Sequence, residues 1–129
     1  MVKFTKPVRE NGFIQGYVEI KHDGVSGTIC DDHFNERSAI VLCKMMGFTG
    51  GHYSTSYRQT GVTRPSKIWL DNVKCLGTET NIGSCPRNDW GEQNCGHNED
   101  VAIRCTTGKV ISPYSLGGDN NASYPKTTK

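Results

Sequence analysis

The sequence predicts an α+β domain with a small sheet, one main helix and long loops, held together by disulfides. Three observations point there: an alternating run at Gly16–Ile20, an apolar stripe through Ala39, Leu42, Cys43 and Met46, and six cysteines in 129 residues. Alternation marks a half-buried strand, and recurrence at i, i+3, i+4 and i+7 marks a helix. The length fits one domain. Hydrophobic residues make up only 34% and glycines number 15, so the core is small and covalent links must supplement it.

Each element follows in order. In Gly16–Ile20, Tyr17 and Glu19 take one face and Val18 and Ile20 the other; His22-Asp23-Gly24 supplies a turn, and Val25–Cys30 returns as the second half of a hairpin. Asn35 caps the helix, Glu36 favours its positive end and Gly47 terminates it. Cys43 lies on the apolar stripe, so its bridging partner should be a strand cysteine. Thr49–Arg64, polar and rich in Gly and Tyr, reads as a long surface loop. Ile68-Trp69-Leu70 reads as a short buried strand, with Trp90 also assigned to the core. Thr78 is expected to cap a short helical turn through Ile82 that Gly83-Ser84-Cys85-Pro86 breaks. Val101, Ile103 and Cys105 alternate with Ala102 and Arg104 as a closing strand.

The cysteines stand at Cys30, Cys43, Cys75, Cys85, Cys95 and Cys105. A zinc site needs close pairs such as C-x2-C, which this chain lacks, so disulfides formed in an oxidising compartment are the better reading. Six cysteines allow about 15 pairings, and spacing does not choose among them. No apolar run approaches the roughly 20 residues that span a bilayer. The start MVKFTKPVRE carries charges where a signal peptide needs its apolar stretch. Met1 is therefore expected to open an expressed or excised piece of a longer secreted protein. The segment after Cys105 lacks periodicity and reads as a flexible linker or tail. Within it, Asn121-Ala122-Ser123 forms a glycosylation sequon at Asn121.

Four ordered blocks carry a resemblance: GYVEIKHDGVSGTICDD at 16–32, AIVLCKMMGF at 39–48, IWLDNVKC at 68–75 and WGEQNCGHNEDVAIRC at 90–105. Together they resemble the scavenger receptor cysteine-rich (SRCR) domain, in its six-cysteine group A form. The resemblance implies a compact fold in which a small curved antiparallel sheet cradles one main helix plus a short helical turn, with long loops and three disulfides. It implies the pairs Cys30–Cys95, Cys43–Cys105 and Cys75–Cys85. It sets residues 1–7 as an N-terminal extension, 8–105 as the domain and 106–129 as the tail. Two departures stand out: Ser26 replaces the Trp usual before G-T-x-C-D-D, and Lys3–Phe13 matches the usual first strand poorly.

Asp31 and Asp32 follow Cys30, and Glu99-Asp100 follow Cys95, so the implied bridge gathers four carboxylates. Crowded carboxylates repel unless protonated or bridged by a cation, and Ca²⁺ takes about 6–8 oxygen ligands. The alternative is a solvated acidic rim whose Asp residues cap turns. Members of the family that bind Ca²⁺ imply Asp31, Asp32 and Glu99 as one site and, less directly, Asp71 and Asn94 as a second. Asp100 is open to a structural role as an inward-pointing acceptor. Arg58, Arg64, Lys67 and Lys74 form a basic, polar stretch suited to sulfate, phosphate or carboxylate, although a net charge of +2 creates no strong field. Arg58, Arg64 and Lys67 are the candidate ligand contacts.

Other classes fare worse. His22, His33, His52 and His97 accompany no G-x-S-x-G elbow and no H-E-x-x-H helix, so no catalytic residues are assigned. Without a recognition helix or aromatic stacking motif, specific nucleic-acid binding is not expected. The sequence thus predicts a non-enzymatic extracellular module, secreted or part of an ectodomain, that binds polyanions or proteins with Ca²⁺ and does not itself enter a membrane. The alternative is a spacer or protein-contact domain in a larger secreted enzyme.

Overall fold

The computed structural model describes residues 1–107. Strand β1 (Val2–Glu10) pairs with β2 (Phe13–His22) along nearly its whole length, from Val2↔Ile20 to Glu10↔Phe13. The other edge of β2 is shared. β6 (Ala102–Thr106) takes its first half and β3 (Val25–Ile29) its second, both antiparallel. β4 (Gly50–Tyr53) extends the sheet beyond β6, and β5 (Lys67–Leu70) pairs with β3. The curved sheet is antiparallel except at β3–β5, which is parallel.

β2 organises the core because its even positions face inward: Ile14, Val18 and Ile20 are buried. The β2–β3 turn uses Asp23 and Gly24, both at positive φ (51° and 78°), the combination that a two-residue hairpin needs. Helix α1 (Glu36–Met45) packs on β4 and β6 and buries Ala39, Leu42 and Cys43 completely. Its cap is Asn35, whose Oδ1 accepts the Ser38 N–H at 2.9 Å. Ser38 Oγ in turn accepts the Cys75 N–H at 3.1 Å, tying the helix to the loop that starts there. The disulfides are Cys30–Cys95, Cys43–Cys105 and Cys75–Cys85, the pairs that the resemblance implies. The second joins α1 to β6, so Cys43 has a strand partner.

Several elements differ from the sequence reading. Gly50–Tyr53, placed in a surface loop, is a strand; its glycines reflect close packing, because a Cβ at Gly51 would collide with Cys43 Sγ and the Arg104 carbonyl. Residues 1–7, set outside the domain, contribute Val2–Thr5 to the sheet, and the pairing then shifts register around Pro7. Thr78 caps nothing. The Glu79 carboxylate accepts the Leu76 and Gly77 N–H groups, which closes a separate turn. The following 3-10 turn, Ile82–Ser84, is capped by Asn81. Trp69 is only partly buried, because Ile68 and Leu70 point inward and the alternation turns Trp69 out. Its ring lies across Gly27, and its Nε1 donates to the Val25 carbonyl at 2.8 Å. Trp90 packs at the margin of the core, stacked on His22 at 3.9 Å. Most of the tail from residue 108, with Asn121, lies outside the described residues. Among the described residues, no helix is long and apolar enough to cross a membrane.

Candidate functional site

The end of β3 and the start of β6 meet where two backbone segments pair. Val101 N donates to Ile29 O at 2.8 Å and Asp31 N to Glu99 O at 2.9 Å, around a Cys30↔Asp100 bridge. The Cys30–Cys95 disulfide crosses the same place. Convergence of the acidic residues therefore has two causes, the covalent bridge and an antiparallel main-chain ladder. A tight turn follows, with Phe34 N donating to Asp31 O at 3.0 Å, and it directs Asp31 and Asp32 toward the His97–Glu99 3-10 turn, an element that the sequence reading missed.

Asp31, Asp32 and Glu99 each offer a carboxylate oxygen within a group whose members lie within 4.8 Å of one another. Cys30 belongs to that group geometrically, but its sulfur is consumed in the disulfide, leaving three carboxylates as the donors. Burial first, then Glu99 and Asp32, push the Asp31 carboxyl above its ordinary value, with Arg58 opposing them. Burial is thus the larger cause of that shift, and the neighbouring carboxylates add to it. Beside them, burial and the Asp31 charge push the Tyr53 hydroxyl up to about 12, so it stays protonated next to the cluster.

A second group joins Asp32 and Asp71 around the Cys30–Cys95 sulfurs. Asp71 is 1% exposed, and its Oδ1 accepts the Asn72 N–H at 2.8 Å, Asn72 being turned to a φ of 57°. Asn94 Oδ1 lies 3.7 Å from Cys95 Sγ, next to this group. Asp32 is thus common to both sets.

Asp100 does point inward. Its carboxylate receives His97 Nδ1–H at 2.8 Å and Arg64 Nε at 3.5 Å. His97 Nε2 faces the Ser66 carbonyl at 2.9 Å. Each ring nitrogen thus faces an acceptor, Asp100 at Nδ1 and the Ser66 carbonyl at Nε2, while the Thr28 hydroxyl lies farther off, 3.5 Å from Nδ1; the arrangement suits a doubly protonated, charged ring. Burial opposes that charge, but the Ser66 carbonyl and Asp100 outweigh it and raise the His97 pKa.

The candidate basic contacts separate. Arg64 is drawn inward, stacked 4.1 Å over Tyr17 and paired with Asp100. Lys67 lies over Trp69 at 4.6 Å. Arg58 alone is exposed near the carboxylate cluster, and it shares with Arg64 a cleft of about 370 Å³ that His97 and Asn98 also line. Sequence reasoning also missed Tyr53, because no local pattern announces a residue brought in by a strand mistaken for loop.

A half-closed sheet packed on one helix, three disulfides and a carboxylate cluster pinned by one of them define a disulfide-stapled recognition module. The family model for the scavenger receptor cysteine-rich domain matches residues 8–106, and the chain belongs to that family. It is 40% identical over 95 residues to Macrophage receptor MARCO of Mus musculus, covering 74% of this chain and 18% of that protein. It is 40% identical over 94 residues to Lysyl oxidase homolog 4 of Homo sapiens, covering 70% of this chain and 12% of that protein. The crystal structure of the dimeric form of the SRCR domain of mouse MARCO superposes with a TM-score of 0.65 at 40% identity, covering 77% of this chain and 94% of that one. The third SRCR domain of murine neurotrypsin gives a TM-score of 0.61 at 29% identity, covering 81% and 94%. The chain spans less than a fifth of the curated relatives' length, so the match to the lysyl oxidase homolog concerns this module and carries over no activity of the whole protein.

Proposed function

We propose that this domain is an extracellular module that captures polyanionic or protein ligands with the help of Ca²⁺, as one unit of a larger secreted or membrane-anchored protein. The observation that carries the reading is the convergence of Asp31, Asp32 and Glu99 within 4.8 Å, flanked by an exposed Arg58. Three carboxylates at that spacing supply part of a Ca²⁺ shell, with water or an anionic ligand group filling the rest of about 6–8 positions. Asp71 and Asn94, adjoining through Asp32, are proposed as a second set. Arg58 is the best placed of the three basic candidates, while Arg64 acts through Asp100. No reaction is assigned, because the site offers charge and hydrogen bonds without a nucleophile and its base.

Calcium should then stabilise the domain by about 2.7 kcal/mol when free Ca²⁺ exceeds its dissociation constant ~100-fold. Calorimetry with Ca²⁺ on the isolated domain, then capture on dextran sulfate with and without EDTA, tests it. Asp32→Ala should weaken both responses and leave the disulfides intact. No Ca²⁺ uptake at millimolar concentration removes the metal from the reading. Capture of neither dextran sulfate nor protein ligands favours the spacer role.

A further inference from the structure

We propose that the Arg58–Gln59 peptide bond is a processing site for a serine protease of trypsin-like specificity, whose cut leaves two disulfide-joined chains and cancels the positive charge of Arg58 beside the carboxylates. The assignment does not depend on the Ca²⁺ reading.

The substrate loop is shaped by its ends. Tyr57 packs edge-on against Tyr17 at 5.2 Å, and Arg64 stacks on the same ring at 4.1 Å while pairing with Asp100. Residues 58–63 therefore bow out between two anchors that share one footing. Among the described residues, no main-chain N–H or carbonyl from 58 to 65 pairs with another main-chain group. Gly61, at a φ of 79°, has open space where a Cβ would stand. Arg58 is exposed; its Nη1 donates to the Tyr57 carbonyl at 2.6 Å, and the Tyr57 hydroxyl donates to Gln59 Oε1. Both contacts are local and give way with the loop. A protease needs several extended residues across its cleft, and an exposed loop without ladder bonds supplies them at least cost.

The protease class follows from the residues the fold leaves open. Trypsin-like enzymes seat a basic side chain in an anionic pocket. Most Lys and Arg of residues 1–107 lie in strands or in α1. Among those in loops, Arg64 precedes Pro65, whose nitrogen is rigid and carries no hydrogen. Lys74 N donates to Pro86 O at 2.9 Å, and the bridged Cys75 follows it. Arg87 lies 4.7 Å over Trp90, and the next nitrogen, Asn88 N, donates to Asp71 O at 3.1 Å. A protease that selects aromatic residues would need Tyr57, which is packed on Tyr17. Hydrolysis adds one water: the C–N bond breaks, Arg58 gains an α-carboxylate and Gln59 leaves with an α-ammonium. Cys30–Cys95 and Cys43–Cys105 both cross the cut, so the chains stay joined. With its new carboxylate Arg58 has no net charge, and the opposition it offers to the raised Asp31 pKa is removed.

The test exposes the folded domain to trypsin at low ratio and scores cuts within residues 1–107. The first product should be heavier by one water when unreduced and, after reduction, give an amino-terminal chain ending at Arg58. Its rate should change by no more than about twofold in urea well below the unfolding midpoint, as expected of a site open without global unfolding. Arg58→Gln should slow this cut at least about tenfold, whereas Arg58→Lys and Lys44→Gln should leave it within about threefold. Both positions are exposed, so the variants fold. Carboxyl NMR should show Asp31 titrating at higher pH in the nicked domain than in the intact one. A first cut elsewhere, equal cutting of Arg58→Gln, or a rate that follows the unfolded fraction would overturn the proposal. An Asp31 titration unmoved by the nick would overturn its charge effect.

Discussion

Replacing Cys43 and Cys105 together with alanine removes the bridge between α1 and β6, and the cost follows from how the bridges are wired. The two residues are 62 apart in sequence. Taken alone, a closed loop of that length would contribute about 4.3 kcal/mol in the chain-entropy picture. The Cys30–Cys95 bridge shortens the route, since the path runs 13 residues from Cys43 back to Cys30 and then 10 from Cys95 to Cys105. A loop of about 23 residues gives about 3.4 kcal/mol. Both half-cystines are fully buried, so the missing sulfurs also leave a void. That void adds about 1–2 kcal/mol, for a total of about 4–5 kcal/mol against the roughly 5–15 kcal/mol of a whole domain. Urea unfolding followed by tryptophan fluorescence measures the loss, with peptide mapping to verify the two remaining bridges. A loss below about 2 kcal/mol would show that helix packing, not the covalent link, holds α1 to the sheet.

Gly51→Ala should cost about 3 kcal/mol by thermal melting, because its methyl group meets a disulfide sulfur and a strand carbonyl that have nowhere to move. His97 makes stability depend on pH. Its folded pKa is raised above the unfolded value of about 6.5, so its contribution is complete below that pH and is lost as pH rises through the folded pKa. Urea midpoints between about pH 5.5 and 8.5 should fall across that window, and His97→Gln should flatten the fall; an unchanged slope refutes the doubly protonated ring.

The legible parts of the fold were those written in local periodicity. The stripe through Ala39, Leu42 and Cys43 marked α1, and alternation marked β2 and β6. β4 was hidden because the feature that permits it, a glycine against a disulfide, looks in sequence like a loop. β1 was obscured by the irregularity at Lys6-Pro7, where Lys6 takes a φ of 45°. Trp69 was misplaced because a short apolar triplet does not say which of its residues faces inward. The carboxylate cluster was legible once Cys30 and Cys95 were joined by resemblance. The exposure of the Arg58–Gln59 bond was not, because it follows from Tyr57 and Arg64 both packing on Tyr17, a residue distant in sequence. Arg64, read from the sequence as a candidate ligand contact, is also paired with buried Asp100, a role that no local pattern announces.

That use of Arg64 bears on the carboxylate site. Asp100 is adjacent to Glu99, and were its charge left unpaired it would add to the repulsion among Asp31, Asp32 and Glu99; Arg64 and His97 remove it from the balance. What stays uncompensated is the trio itself, with Arg58 as a partial counter-charge. Main-chain pairing at Asp31–Glu99 and the Cys30–Cys95 bridge hold the trio together against its own repulsion. A site assembled this way does not wait for a cation to order its backbone, so binding energy is not drawn down by loop closure. Cation uptake should accordingly change the carboxylate titration more than the backbone: Ca²⁺ should return the Asp31 pKa toward or below its ordinary range while backbone amide shifts stay confined to residues near 31, 32 and 99. Widespread amide changes on Ca²⁺ addition would mean instead that the cation orders the segment, and that the trio is not preformed.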